Sequence, residues 1–263
     1  MAERTILVDT DSRGVATVTL NRPKVHNAFD QALVARLTDA FANVAADESI
    51  RAMLLRGRGE TFCAGADLHW LRRSADFSKE ENEQDAHRLA AMLRALNDLP
   101  VPTIALVQGG AYGGGLGLLA ACDIVVAVDN CKFAFTETRL GLIPAVISPF
   151  VVGAIGARHA RRYFLTAERF DAREALRIGL AHELVEREAA LPGRAEAFIK
   201  RILKTARGAD ADAKRLIADV VDRPLGDALM EDMARRIAGR RATVEGKEGT
   251  SAFLERRKPP WVH

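Results

Sequence analysis

GGAYGGGLGLLAACD, residues 109–123, packs five glycines into seven positions. It lies between a strand-like run, Thr103 to Val107, and an apolar run of small residues, Leu116 to Ala121. Bare backbone beside a core has two physical uses. It lets helices and strands approach closely or turn sharply, or it presents unshielded N–H groups at the start of a helix, where the dipole favours negative charge. A second stretch, FCAGAD at 62–67, sits in the same kind of place: a short apolar strand, Ala52 to Leu55, precedes it and a helix follows. In parallel α/β sheets that corner is the ligand-binding edge. One N–H from each loop, converging on one oxygen, makes an oxyanion hole. Close packing alone would explain either loop taken singly. The spacing does not follow G-x-G-x-x-G, which argues against a dinucleotide site.

The rest of the chain supplies the frame. Ile6 to Val8 and Val15 to Leu20 read as strands split by the turn-like Asp11-Ser12-Arg13-Gly14, a hairpin signal. Asn27 and Asp30 offer helix starts, and Phe29, Leu33, Leu37, Phe41 and Val44 follow at helical spacing. Arg72 to Asp85 is polar and charged. Leu89, Leu93 and Leu96 mark a helix ending at Pro100, and Ile124 to Val128 is a β-branched strand. Strands alternating with helices favour a mostly parallel sheet. Beyond about residue 150 the strand signal fades. Helices are expected over 157–165, 171–178, 191–205, 211–221 and 225–237, and the expected fold class is α/β with a helical C-terminal region.

Composition narrows the function classes. In 263 residues, 38 Lys and Arg face 35 Asp and Glu, for a net charge of +3. That balance suits a small anionic ligand and argues weakly for nucleic acid. Cys63, Cys122 and Cys131 are scattered, with no CxxC or Cys/His cluster, so neither a disulfide framework nor a zinc site is expected. The first residues, MAERTILVDT, lack the apolar stretch of a signal peptide. No apolar run approaches the length of a membrane span. A cytoplasmic protein without a membrane segment is the expectation.

Six segments together are similar to the crotonase superfamily, the enoyl-CoA hydratase/isomerase family. They are NRPKVHNAF (21–29), FCAGADL (62–68), GGG with ACDI (113–115 and 121–124), ETRLGLIP (137–144), LTAERFDAREALRIGLAHELV (165–185) and AFLERRKP (252–259). The resemblance covers nearly the whole chain, in order. It implies a spiral of ββα repeats, with a core over 1–195 and a helical trimerisation region over 196–263. It also implies a homotrimer or hexamer acting on acyl-CoA thioesters through a thioester enolate, with no metal and no cofactor beyond the coenzyme A of the substrate.

On matching positions, the oxyanion-hole amides fall at Ala66, next to Asp67, and at Gly114, between Gly113 and Gly115. Ala64 and Leu68 fall where family backbone groups hold the adenine and pantetheine portions, with Gly65 and Asp67 between them counted among the substrate-binding positions. Lys24 falls where the family meets CoA phosphates. Typical hydratases of the family carry two glutamates. Here the later one is Glu137, and the earlier position is Gly117.

One carboxylate leaves three readings. Glu137 both activates water and delivers a proton; or the enzyme is an isomerase, which needs a single base; or a dicarboxylic acyl group orients the water itself. GGGLGLLAACDI, ETRLGLIPAVISPFV and RHARRYFLTAERF resemble one branch in particular, the bacterial 3-methylglutaconyl-CoA and isohexenylglutaconyl-CoA hydratases, which favours a branched glutaconyl-type substrate over a general short-chain enoyl-CoA hydratase or an isomerase. His69 and Trp70 either line an acyl pocket or sit on the surface. Arginines at 158, 161, 162, 235, 236, 240 and 241 read as solvated faces or subunit contacts. An RNA-binding role for them finds no recognition motif with interleaved aromatics.

Overall fold

The computed structural model describes residues 4–262. Strands β1 (Ile6–Thr10) and β2 (Val15–Leu20) form an antiparallel hairpin, and helix α1 (Gln31–Ala46) leads to β3 (Ala52–Gly57). Helices α2 (Leu68–Ser74) and α3 (Lys79–Asn97) precede β4 (Thr103–Val107), β5 (Gly110–Tyr112), α4 (Gly114–Ala120), β6 (Ile124–Val128) and β7 (Lys132–Ala134). After α5 (Ser148–Thr166) come β8 (Phe170–Asp171), α6 (Ala172–Arg177) and β9 (Glu183–Val185). Helices α7 (Leu191–Ile202), α8 (Arg207–Val220), α9 (Asp227–Ala242) and α10 (Val244–Leu254) close the described chain.

The main sheet has the order β1-β2-β3-β4-β6-β9, parallel throughout except for the hairpin. Strand β4 is buried along its whole length, as expected of a parallel strand covered on both faces. The face of α1 bearing Leu33, Leu37, Phe41 and Val44 is buried in the core, where each such side chain contributes roughly 1.5–3 kcal/mol. Asp30 is its N-cap, accepting from the Leu33 N–H at 2.7 Å. Asn27, the other expected helix start, is not a cap: it sits at φ 57° and is fully buried, bonding to loops instead.

A second, three-stranded sheet, β5-β7-β8, positions the site. Strands β5 and β7 run parallel, with Tyr112 opposite Ala134. Single parallel bridges extend this strip to Cys63, opposite Ala111, and to Ala66, opposite Phe29. Four extended segments thus run side by side in one direction, and their forward ends deliver Phe29, Ala66, Gly114 and Glu137 to one edge.

The sequence missed three features here. Strand β5 lies inside the glycine loop, and β7 has only three residues. Strands β8 and β9 lie beyond the point where the strand signal fades, and β9 pairs with β6 as the sheet's sixth strand. Helix α3 starts within the polar stretch, under a complete capping box of Ser78 and Glu81. Residues 195 and 196 both lie inside α7, whose Ala195 and Ile199 are buried.

Candidate active site

Phe29 donates its N–H to the Gly65 carbonyl at 2.6 Å and accepts from the Asp67 N–H at 2.8 Å. In a parallel bridge the residue between those two points its own N–H the other way. Ala66 is that residue, and among the described residues no acceptor is hydrogen-bonded to its N–H. Gly114 is the first residue of α4, where the N–H has no partner within the helix. A β-carbon on Gly65 would lie 3.6 Å from the Gly114 nitrogen and 2.7 Å from the Tyr112 carbonyl oxygen. The two loops therefore touch, and only a glycine at position 65, with φ 86°, lets them.

Glu137 opens a single 3-10 turn, Glu137–Leu140, directly after the β7 segment. Thr138 ties this turn to α5 by donating to the Phe164 carbonyl at 2.9 Å. The Glu137 carboxyl lies against Gly113, where a β-carbon would come 3.2 Å from Oε1. Its Oε2 is buried and has no hydrogen-bond partner. Burial pushes the carboxyl above the usual glutamate range, against the N–H groups of Glu137 and Thr136 that favour its charged form.

A cavity of about 310 Å³ opens between these groups. Phe29, Ala66, Gly114 and Glu137 line it, together with the apolar segment from Ile143 to Ile147. Trp70 of α2 and Asp85 of α3 also line it. A buried acid of raised pKa beside two unpaired main-chain donors can move a proton next to a developing oxyanion.

The remaining candidates lie outside the cavity lining. Gly113 backs Glu137. Gly117 is packed beneath, where a β-carbon would come 2.5 Å from Cγ2 of Ile147. Lys24 is exposed on a short 3-10 turn, Pro23–Val25. Leu68 is exposed at the start of α2, and the Ala64 N–H donates to the His26 carbonyl at 2.9 Å. The Asp67 carboxylate is engaged structurally. It caps α2 through the His69 N–H at 2.8 Å and pairs with Arg22 at 3.1 Å. Burial pushes its pKa up, but the His69 N–H and Arg22 outweigh that and hold it low.

Sequence reasoning missed Arg22 and Asn27, which fix the loop carrying Ala66. Arg22 also pairs with Asp30 at 2.9 Å and donates to the Ala28 carbonyl. Asn27 accepts from the Arg22 N–H and donates to the carbonyls of Arg58 and Thr61. Trp70 lines the cavity, whereas His69 is exposed. The three cysteines are buried thiols, each pushed up to about 12 mainly by burial. The arginines of the helical region largely face acidic partners: Arg162 pairs with Glu168, Arg236 with Asp219 and Asp232, and Arg240 with Asp212. Among the described residues, no group of three or more His, Cys, Asp or Glu is gathered as metal ligands would be, and no helix is long and apolar enough to cross a membrane.

Residues 10–263 match the family model described as enoyl-CoA hydratase/isomerase. The "Probable enoyl-CoA hydratase echA8" of Mycobacterium tuberculosis is 34% identical over 269 residues, covering 100% of both chains. The solved structure of an enoyl-CoA hydratase from Shewanella pealeana is similar at 39% identity and a TM-score of 0.95, covering 98% of this chain and 96% of that one. Pseudomonas aeruginosa AtuE is similar at 39% identity and a TM-score of 0.93, covering 99% of this chain and 100% of that one.

Proposed function

The chain belongs to the enoyl-CoA hydratase/isomerase family, and from that premise we propose that it adds water across a conjugated enoyl-CoA double bond, with Glu137 as its acid and base. The observation that carries this reading is the single cavity onto which Ala66, Gly114 and Glu137 all open. The thioester oxygen accepts the N–H groups of Ala66 and Gly114. One such donor is worth ~2.7–4 kcal/mol of transition-state stabilisation. Ionised Glu137 takes a proton from water as its oxygen bonds to Cβ, and the electron pair of the double bond moves into the thioester as an enolate. The same carboxyl then returns a proton to Cα, so one water is added and Glu137 is left ionised.

Gly117 supports a one-carboxylate mechanism, because Ile147 fills the space where a second glutamate would project. An isomerase draws on the same observation, since moving a proton between two carbons needs one base. A branched glutaconyl-type substrate is the finer reading that the sequence favours. Its distal carboxylate would meet no lysine, arginine or histidine among the described lining residues, so we place it second. Exposed Lys24 supports contact with CoA phosphates. Exposed apolar side chains on α8 to α10, including Ile217, Val244 and Phe253, support a homotrimer or hexamer.

The test is a turnover panel of crotonyl-CoA, 3-methylglutaconyl-CoA and a 3-enoyl-CoA. Hydration removes the conjugated thioester absorbance and adds the mass of one water. Conversion of the 3-enoyl-CoA alone, without gain of water, would replace the hydratase with an isomerase.

A further inference from the structure

The turn that carries Glu137 is held to the protein at one polar point. Residues 139–143 are all exposed. The main-chain hydrogen bonds of the turn are local: the Arg139 N–H donates to the Thr136 carbonyl at 3.2 Å, Gly141 to Thr138 at 3.3 Å and Leu142 to Glu137 at 3.1 Å. Among the described residues, a single hydrogen bond joins 136–142 to the rest of the chain, from the Thr138 hydroxyl to the Phe164 carbonyl at 2.9 Å.

That carbonyl is one that α5 leaves open. Phe164 lies in the last turn of the helix, where C=O groups lack partners within it. Its surroundings are packed. The Phe164 ring meets Phe135, itself 1% exposed, edge-on at 5.0 Å, and the neighbouring Tyr163 packs on Phe170 at 4.4 Å. Thr138 therefore ties an exposed turn to a fixed point of the core.

The load on this tie comes from the carboxyl of Glu137. Its Oε2 is buried without a partner, and burial works against its ionised form. An ionised carboxylate in that position gains free energy by reaching water. Outward movement of the exposed turn would supply the water and draw the acid away from Gly113. The apolar lining is secured separately. Gly156, at φ 73° and ψ 155°, interrupts α5. Ile147, which is buried, leads into the first half of the helix, whereas Phe164 belongs to the second.

We propose that Thr138 is a positioning residue: its hydroxyl, bonded to the end of α5, holds Glu137 at the cavity for proton transfer. This rests on the reading of Glu137 as the acid and base of an enoyl-CoA hydratase.

The test follows hydration of crotonyl-CoA across pH by the wild type, by Thr138→Val, which keeps the shape and loses the donor, and by Thr138→Ser, which keeps the donor. Thr138→Val should lower kcat by at least about tenfold, with KM within about twofold of wild type, because the acid moves and the apolar lining does not. The acidic limb of its kcat/KM profile should shift to lower pH as Glu137 gains water. Thr138→Ser should restore the wild-type profile and a kcat within about twofold of wild type. A merely structural tie would lower the melting temperature of Thr138→Val and leave kcat and the limb unchanged, which overturns the proposal. Equal losses in the serine and valine variants overturn it too, since the methyl and not the hydroxyl would then matter. If Thr138→Val does not fold, Thr138→Ala takes its place, and failure of both to fold makes the tie structural and overturns the proposal. If the wild type hydrates nothing, the hydratase reading fails instead. Glu137 is then titrated directly, as the carboxyl infrared band that Glu137→Gln removes, and an unshifted titration in Thr138→Val overturns the positioning role alone.

Discussion

Ile147 occupies the space above Gly117: a β-carbon at position 117 would lie 2.5 Å from Cγ2 of Ile147 and 3.1 Å from its Cβ. The obstruction is stiff, because Ile147 is β-branched and sits at the N-terminal end of α5. Leu93 of α3 adds a second obstruction at 3.2 Å. Glycine here is a packing requirement as well as the loss of an acid.

Gly117→Ala should therefore destabilise the protein by about 1–3 kcal/mol, the usual cost of overpacking a core. Gly117→Glu alone should destabilise it further and should not raise hydration. Combining Gly117→Ala with Ile147→Ala should recover part of the loss. Denaturant midpoints of the two single variants and the double variant check this. Additive losses would show that Ile147 does not set the limit.

Glu137 makes opposite demands on stability and rate. Burial raises its folded-state pKa above 4.5, so the charged carboxylate disfavours the fold. That penalty is absent below the unfolded value and grows as pH rises through the folded one. Glu137→Gln should accordingly melt higher than wild type at pH 7, and the difference should vanish near pH 4. Wild-type kcat/KM should fall with pH through the same raised pKa, because the first step needs the ionised form. Thermal scans and a pH–rate profile check both.

Asn27 holds the oxyanion loop by three hydrogen bonds while fully buried. Removing its side chain strands those partners at about 1–3 kcal/mol for each buried group. Asn27→Ala should cost at least ~2 kcal/mol in chemical denaturation.

Gly65→Ala should act on rate. Its β-carbon would press to 2.7 Å from the Tyr112 carbonyl oxygen and part the loops that carry Ala66 and Gly114. Misplacement by about 1 Å can cost ~10²-fold, so kcat should drop by about that factor, measured as single-turnover hydration.

Legibility in the sequence followed element length and amphipathic contrast. Strands β2, β3, β4 and β6, the α1 face and the Asp30 cap carry long or sharply patterned signals, and the residues read are the ones buried or capping. Strands β5 and β7 have three residues each, too few for a period-2 pattern, and β5 begins with a glycine. Yet their pairing is what places Gly114 beside Glu137. Helix α3 begins in a charged stretch because its first turns face solvent, although Ser78 and Glu81 spell a capping box that could have been read. Arg22 and Asn27 act through loop carbonyls and carboxylates remote in sequence, which no local pattern announces. Gly117 was legible as a missing acid, but Ile147 as its cause was not.

The central claim is that two main-chain amides and one carboxylate serve a single thioester. Its most direct test is the rate of loss of conjugated absorbance from crotonyl-CoA with wild type and Glu137→Gln at equal concentration. Turnover by the wild type with at least ~10²-fold loss of kcat in a folded Glu137→Gln protein is the predicted result. Near-equal rates, or a wild type that leaves the absorbance unchanged, would contradict it.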